Sequence, residues 1–146
     1  MQKLLTLPQP KMTTEAGFYR QMKSGAKKLK DRKLTLTRIE NWAVAGMPDV
    51  MICDEKGFFH FVELKFCKAN AVGLRPQQIA WLTKNSHSSS FVLIKQQSKA
   101  ENKAVVSLYN ASQAIDLASD GLKTEPVYRK YSPFKWSEIF NLICPI

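Results

Sequence analysis

Cysteine and histidine are scarce in this chain. Cys53, Cys67 and Cys144 are odd in number, far apart and never in Cys-x-x-Cys spacing, and His60 and His87 are its only histidines. That pattern argues against a zinc site and leaves the cysteines as reduced packing residues. Long apolar runs are missing too, none approaching the roughly eighteen residues of a membrane span. No signal-peptide pattern opens the chain at Met1-Gln2-Lys3-Leu4-Leu5. The expectation is an intracellular protein, in the cytoplasm, at a nucleoid or at a viral replication site in a host cell. Internal repeats and low-complexity segments are absent, and 146 residues that are 45% hydrophobic suit a single domain over 1–146. Acidic residues are the last shortage. Twelve Asp and Glu face 22 Lys and Arg, a formal charge of +10. Such an excess implies a polyanionic partner, nucleic acid first. An anionic membrane surface ranks lower, because the basic residues do not lie on one long amphipathic helix with bulky apolar anchors.

Against that background the few acids are oddly placed. Gly46-Met47-Pro48-Asp49 leads into the apolar run Val50-Met51-Ile52-Cys53. Turn residues Asp54-Glu55-Lys56-Gly57 follow, and Phe58-Phe59-His60-Phe61 returns to Val62-Glu63-Leu64-Lys65. This reads as a β-hairpin. A three-residue loop, Glu55-Lys56-Gly57 with Gly57 left-handed, sets the register so that Asp49 lies opposite Glu63. Alternation along the strand puts Glu63 and Lys65 on one face. Two carboxylates and an ammonium therefore converge at one end of apolar strands, where unpaired charge is costly. One reading is a structural ion pair between Lys65 and one acid, which leaves the second acid without a partner. The other is a site for a hard divalent cation, with Asp and Glu oxygens as ligands and Lys65 stabilising negative charge or positioning a water.

The remaining elements follow in order. Thr13 and Thr14 can cap a helix running to about Leu29, with Phe18, Met22, Ala26 and Leu29 inward and Glu15 on the same stripe. Glu15 is either a dipole partner at a helix start or a member of the acidic cluster. Arg20, Lys23, Lys27, Lys28, Lys30, Arg32 and Lys33 form a basic face and helix end that suits phosphate contact. Leu34–Ile39 alternates as a half-buried strand, and Glu40–Met47 is a loop in which Trp42 is either core or near a nucleic acid. A basic loop, Phe66–Leu74 with Lys68, leads to Arg75 and a helix from Pro76 to about Asn85. On it Gln78, Trp81 and Leu82 share a face. After a polar loop, Phe91–Ile94 and Val105–Tyr109 are strands, with Lys95, Lys99 and Lys103 adding charge between them. Ser112–Leu122 reads as a helix with Ala114, Ile115, Leu117 and Ala118 inside. The tail 123–146 mixes aromatic and basic residues and is expected to dock on its own domain or on a second subunit. Stacking on bases exposed at a branch is the other use such a tail can have.

The pattern Pro48-Asp49…Glu63-Leu64-Lys65 resembles the PD-(D/E)xK nuclease signature. Extended to Arg75-Pro76-Gln77-Gln78-Ile79-Ala80-Trp81-Leu82, it is similar to the virus-type replication-repair nuclease (VRR-NUC) branch, over about residues 13–110. The polar loop Asn85–Ser90 departs from that branch, which usually has a glycine-containing turn there. The resemblance implies an α/β fold with a mixed central sheet flanked by helices. It also implies Mg²⁺-dependent hydrolysis of phosphodiesters in DNA, with Mn²⁺ able to substitute. Asp49, Glu63 and the Leu64 carbonyl would hold the metal, with Glu15 completing the acidic cluster. Lys65 would be catalytic, and Gln78 (or its neighbour Gln77) would orient a water or phosphate. Lys23, Lys27, Lys28, Lys68 and Arg75 would contact DNA.

Branched or junction DNA is the expected substrate. A junction needs two symmetric cuts from a chain with one such site, so a homodimer is expected, with the aromatic tail in its interface. Two alternatives are a non-catalytic basic nucleic-acid-binding protein and a flap-type nuclease acting as a monomer. A restriction-type enzyme would need a base-reading element, and none is recognisable.

Overall fold

The computed structural model describes residues 14–39, 44–98 and 103–146. Helix α1 (Glu15–Lys27) starts where the Thr14 hydroxyl accepts the Gly17 N–H at 3.0 Å, a side-chain N-cap. Glu15 in its first turn and Lys27 in its last both oppose the helix dipole. Strands β1 (Thr35–Arg38), β2 (Val50–Cys53) and β3 (Phe59–Cys67) follow, then helix α2 (Pro76–Lys84) and strands β4 (Ser90–Ser98) and β5 (Lys103–Asn110). A 3₁₀ turn (Ala111–Gln113), helix α3 (Ala114–Asp120) and a second 3₁₀ turn (Gly121–Lys123) lead to β6 (Tyr128–Tyr131) and helix α4 (Trp136–Ile143).

The strands form a six-stranded mixed sheet in the order β1-β2-β3-β4-β5-β6. Neighbours are antiparallel except β3 and β4, which are parallel and joined by the crossover through α2. The fold is thus mixed α/β, a sheet flanked by helices. The hairpin register is the expected one: Val50 pairs with Val62 and Cys53 with Phe59, leaving Glu55-Lys56-Gly57 as the loop. Gly57 has φ 85°, and the Asp54 carboxylate accepts the N–H groups of Lys56 and Phe58 to close the turn.

Each sheet face has its own core. On one face, Val50, Ile52, Val62, Leu64, Leu93, Val106 and Leu108 pack with Phe18, Met22 and Ala26 of α1 and Ile139, Phe140 and Ile143 of α4. On the other, Val92, Ile94 and Tyr109 pack with Leu82 of α2, Leu117 of α3 and Leu122. Burial of each large apolar side chain contributes about 1.5–3 kcal/mol.

The tail docks on its own domain, one of the two placements expected for it: β6 pairs with β5, and Ile139, Phe140 and Ile143 are fully buried in the chain's own core. Part of the apolar tail surface from which a dimer interface was expected is taken up there, while Val127, Tyr131, Leu142 and Ile146 stay exposed. Other expectations are corrected. Strand β3 runs on through Cys67, and β4 runs to Ser98, because each has a strand partner beyond its apolar stretch. Ile115, expected inside, is 59% exposed, since the short α3 turns only Ala114 and Leu117 inward. Arg32 is no phosphate contact. Its guanidinium makes a bidentate pair with Glu55 (2.7 and 3.0 Å) and donates to Asn141 and the Cys144 carbonyl. Lys95 is buried, donates to Gln21 Oε1 at 3.0 Å, and lies over the rings of Phe18 and Phe134. Trp42 and Lys99 lie outside the described residues. Among the described residues, no helix is long and apolar enough to cross a membrane.

Candidate active site

The hairpin determines where the acids meet. Asp49 stands one step before β2 and Glu63 one step past the last paired residue of β3, so the register sets them opposite each other. Beyond this point β3 has lost β2 as a neighbour, and the Asp49 carboxylate takes over one ladder position, accepting the Leu64 N–H at 2.9 Å. The N–H and C=O of a strand residue project toward the same edge, so the Leu64 carbonyl also points into this corner.

The loop carrying Asp49 is held against α2. Gly46 has φ 83°, and a Cβ there would collide with the Gln77 carbonyl. Only glycine permits both the left-handed backbone and the close approach. Helix α2 in turn supplies Gln78, which is only 3% exposed. Its Oε1 accepts the Arg75 N–H at 2.9 Å, and its Nε2 donates to Glu63 Oε2 at 2.9 Å. Gln78 therefore links the start of α2 to the buried acid. Gln77, the alternative, is exposed.

Glu63 is the least comfortable group among the described residues. It is 1% exposed, and its Oε1 is buried with no hydrogen-bond partner among the described residues. Burial chiefly, and then the negative charge of Asp49, push its carboxyl up to about 9, with the Lys65 ammonium pulling the other way. Two ionised carboxylates are acceptors only, so neither can satisfy the other. A proton or a cation must sit there. The Lys65 ammonium does not fill that role by contact: its Nζ lies 3.6 Å from Glu63 Oε2 and 3.7 Å from Glu15 Oε1, outside hydrogen-bond range. Glu15, with a side chain 44% exposed, enters the cluster through Lys65 from the start of α1.

The donor set suits a hard cation. Asp49, Glu63 and the Leu64 carbonyl are all oxygen ligands at one corner, and Mg²⁺ characteristically takes one or two carboxylates and keeps several waters. Among the described residues, no group of three or more His, Cys, Asp or Glu side chains is placed to hold a metal alone. A metal here would rely on the backbone carbonyl, water or substrate to complete its shell.

The basic residues fall into two groups. Lys68 and Arg75 are exposed on the loop between β3 and α2, flanking Lys65 and Gln78. Lys23, Lys27 and Lys28 are also exposed but lie toward the far end of α1, about 18 Å from Glu15 to Lys27 at 1.5 Å per residue. Two further networks were not foreseen from sequence. His60 bridges Asp54 (2.8 Å) and Ser89 (2.5 Å), tying the hairpin turn to the loop before β4. Arg129 donates to Ser107, Tyr109 and the Leu122 carbonyl, fixing β6 to the second 3₁₀ turn. Each includes a partner twenty or more residues away, Ser89 for His60 and Ser107 and Tyr109 for Arg129, so no local pattern signals the whole network.

In comparisons with known proteins, no family model, curated protein or solved structure matches this chain.

Proposed function

We propose that the chain is a divalent-metal-dependent endonuclease that hydrolyses phosphodiester bonds in branched DNA. The observation that carries this reading is the buried, partnerless Oε1 of Glu63 beside Asp49, an acceptor-only corner that suits a hard cation. The order α1-β1-β2-β3-α2-β4 in a mixed sheet flanked by helices also agrees with the element order and mixed sheet that the resemblance to PD-(D/E)xK nucleases implies.

Asp49, Glu63 and the Leu64 carbonyl would hold Mg²⁺ or Mn²⁺, which when bound acidifies a water and neutralises phosphate oxygens. Water attacks phosphorus, the bond to the leaving oxygen breaks, and that oxygen takes a proton. Lys65, between Glu63 and Glu15, positions the attacking water and stabilises the charge building on phosphorus. Gln78 acts as a positioning residue, since its amide is engaged by Arg75 and Glu63. Lys68 and Arg75 meet the phosphates flanking the cut, and the lysines of α1 meet more distant ones. Burial of the tail favours a monomer that cuts one strand of a flap over the dimeric junction resolvase expected from sequence.

The test is a panel of labelled duplex, flap, splayed and four-way DNA, incubated with Mg²⁺ or with EDTA. Cleavage of the branched forms with Mg²⁺ alone, abolished by Asp49→Asn, Glu63→Gln or Lys65→Ala while DNA binding persists, is the expected result. A pure binder would bind equally in EDTA and cut nothing. Full activity in any of the three variants contradicts the site.

A further inference from the structure

The loop and helix that hold Asp49 in place also border a groove. Where the Gly46 loop leans on α2, the two enclose an open, mainly apolar groove of about 330 Å³ lined by Val44, Ala45, Gln77, Ala80, Trp81 and Lys84. Its floor is the half-buried Trp81, held edge-on against Phe61 of β3 with ring centroids 5.8 Å apart. Lys84 is exposed at its rim, with no acid among the lining residues. The groove neighbours the acidic corner along both elements: Trp81 lies one helical turn past Gln78, which holds Glu63, and its partner Phe61 lies two residues before Glu63 on the same face of β3.

We propose that this groove receives an unpaired nucleobase of the DNA strand being cut, next to the scissile phosphate, stacked on Trp81 with its phosphate against Lys84. The inference rests on the nuclease reading and narrows its substrate to DNA with a single-stranded nucleotide at the cut. The occupant follows from three features together. A flat aromatic floor suits the π-face of any base. A volume at the small end of ligand pockets suits one ring system and no folded partner. A cation at the rim, on a chain of net charge +10, suits the attached phosphate. Paired bases are stacked within a duplex and cannot enter, so the groove selects flaps and splayed ends.

The test is anisotropy of a labelled oligo-dT strand and of a length-matched duplex, titrated in EDTA so that cleavage plays no part. Trp81→Ala is expected to weaken single-strand binding about 5- to 150-fold, the range for removal of one base–aromatic stack, while Trp81→Phe retains most of it. Trp81 also packs on Phe61, so a second variant guards against misfolding. Ala80→Trp, at an exposed position, fills the groove from outside and is expected to weaken binding to the same degree. Duplex affinity is expected to stay within about twofold in all three variants. Unchanged single-strand affinity in both Trp81→Ala and Ala80→Trp overturns the groove, and the nuclease reading survives if Mg²⁺-dependent cleavage of flaps persists. Loss of single-strand affinity without any cleavage by the wild-type protein instead overturns the placement of the base beside a cut phosphate.

Discussion

A buried carboxyl with one unsatisfied oxygen makes the molecule sensitive to pH in a definite direction. In the unfolded chain the Glu63 carboxyl titrates near its ordinary value of 4.5, whereas in the fold it is pushed up to about 9. Between those values the folded state keeps a proton that the unfolded state has released. Stability contributed by the protonated group is therefore complete below pH 4.5 and is lost as pH rises toward 9. Glu63→Gln removes the titration while preserving an acceptor for Gln78. In EDTA, the variant is expected to match the wild type near pH 5 and to exceed it by up to about 3 kcal/mol at pH 7, at 1.36 kcal/mol per unit. Urea unfolding at pH 5, 7 and 9 measures this. A stability difference that does not change with pH would mean that Glu63 is ionised in the fold without a cation. The same proton must leave when a cation binds, so metal affinity is expected to rise with pH over this window.

Elements show where sequence reading succeeds and where it stops. The β2–β3 hairpin was legible to the residue, because its register depends only on a local loop and on Gly57. Helix α1 was legible for a similar reason: its cap and its apolar stripe lie within a few turns of chain. The acidic corner followed from the hairpin. The strand in the tail did not. Tyr128–Tyr131 becomes a strand only by pairing with Val105–Leu108, twenty or more residues earlier. Charge runs were the least legible feature. Arg32 and Lys27 look alike in sequence, yet Arg32 is claimed by Glu55 and Asn141 across the fold, and Lys27 is exposed. The exposed group carries the prediction at this scale. Lys27 and Lys28 replaced together by Ala are expected to make the slope of log affinity against log salt shallower, by about 0.9 for each duplex phosphate no longer neutralised. An unchanged slope would place this end of α1 away from DNA.

For the whole molecule, the partition of apolar surface decides how many copies act together. One core takes in Ile139, Phe140 and Ile143 of the tail, with Tyr128, Phe134 and Trp136 packed partly against it, and Val127, Tyr131, Leu142 and Ile146 stay exposed. A stable dimer commonly buries about 800 Å² on each partner, and the largest apolar side chains of α4 that could anchor such a patch are already spent inside the chain. Light scattering coupled to size exclusion is expected to give the mass of one chain, 16.6 kDa. A plasmid-borne cruciform is expected to be nicked and not linearised. A twofold mass with paired cuts would restore the dimeric resolvase.

The central claim is that Asp49 and Glu63 together hold a divalent cation, and Mn²⁺ is the probe that reports on it without requiring turnover. Electron paramagnetic resonance counts free Mn²⁺ as it is titrated into the protein with flap DNA present. Saturable binding is expected for the wild type, abolished in both Asp49→Asn and Glu63→Gln and unaffected in Lys27→Ala. Binding that persists when both acids are neutralised, or no binding to the wild type with DNA present, would contradict the claim.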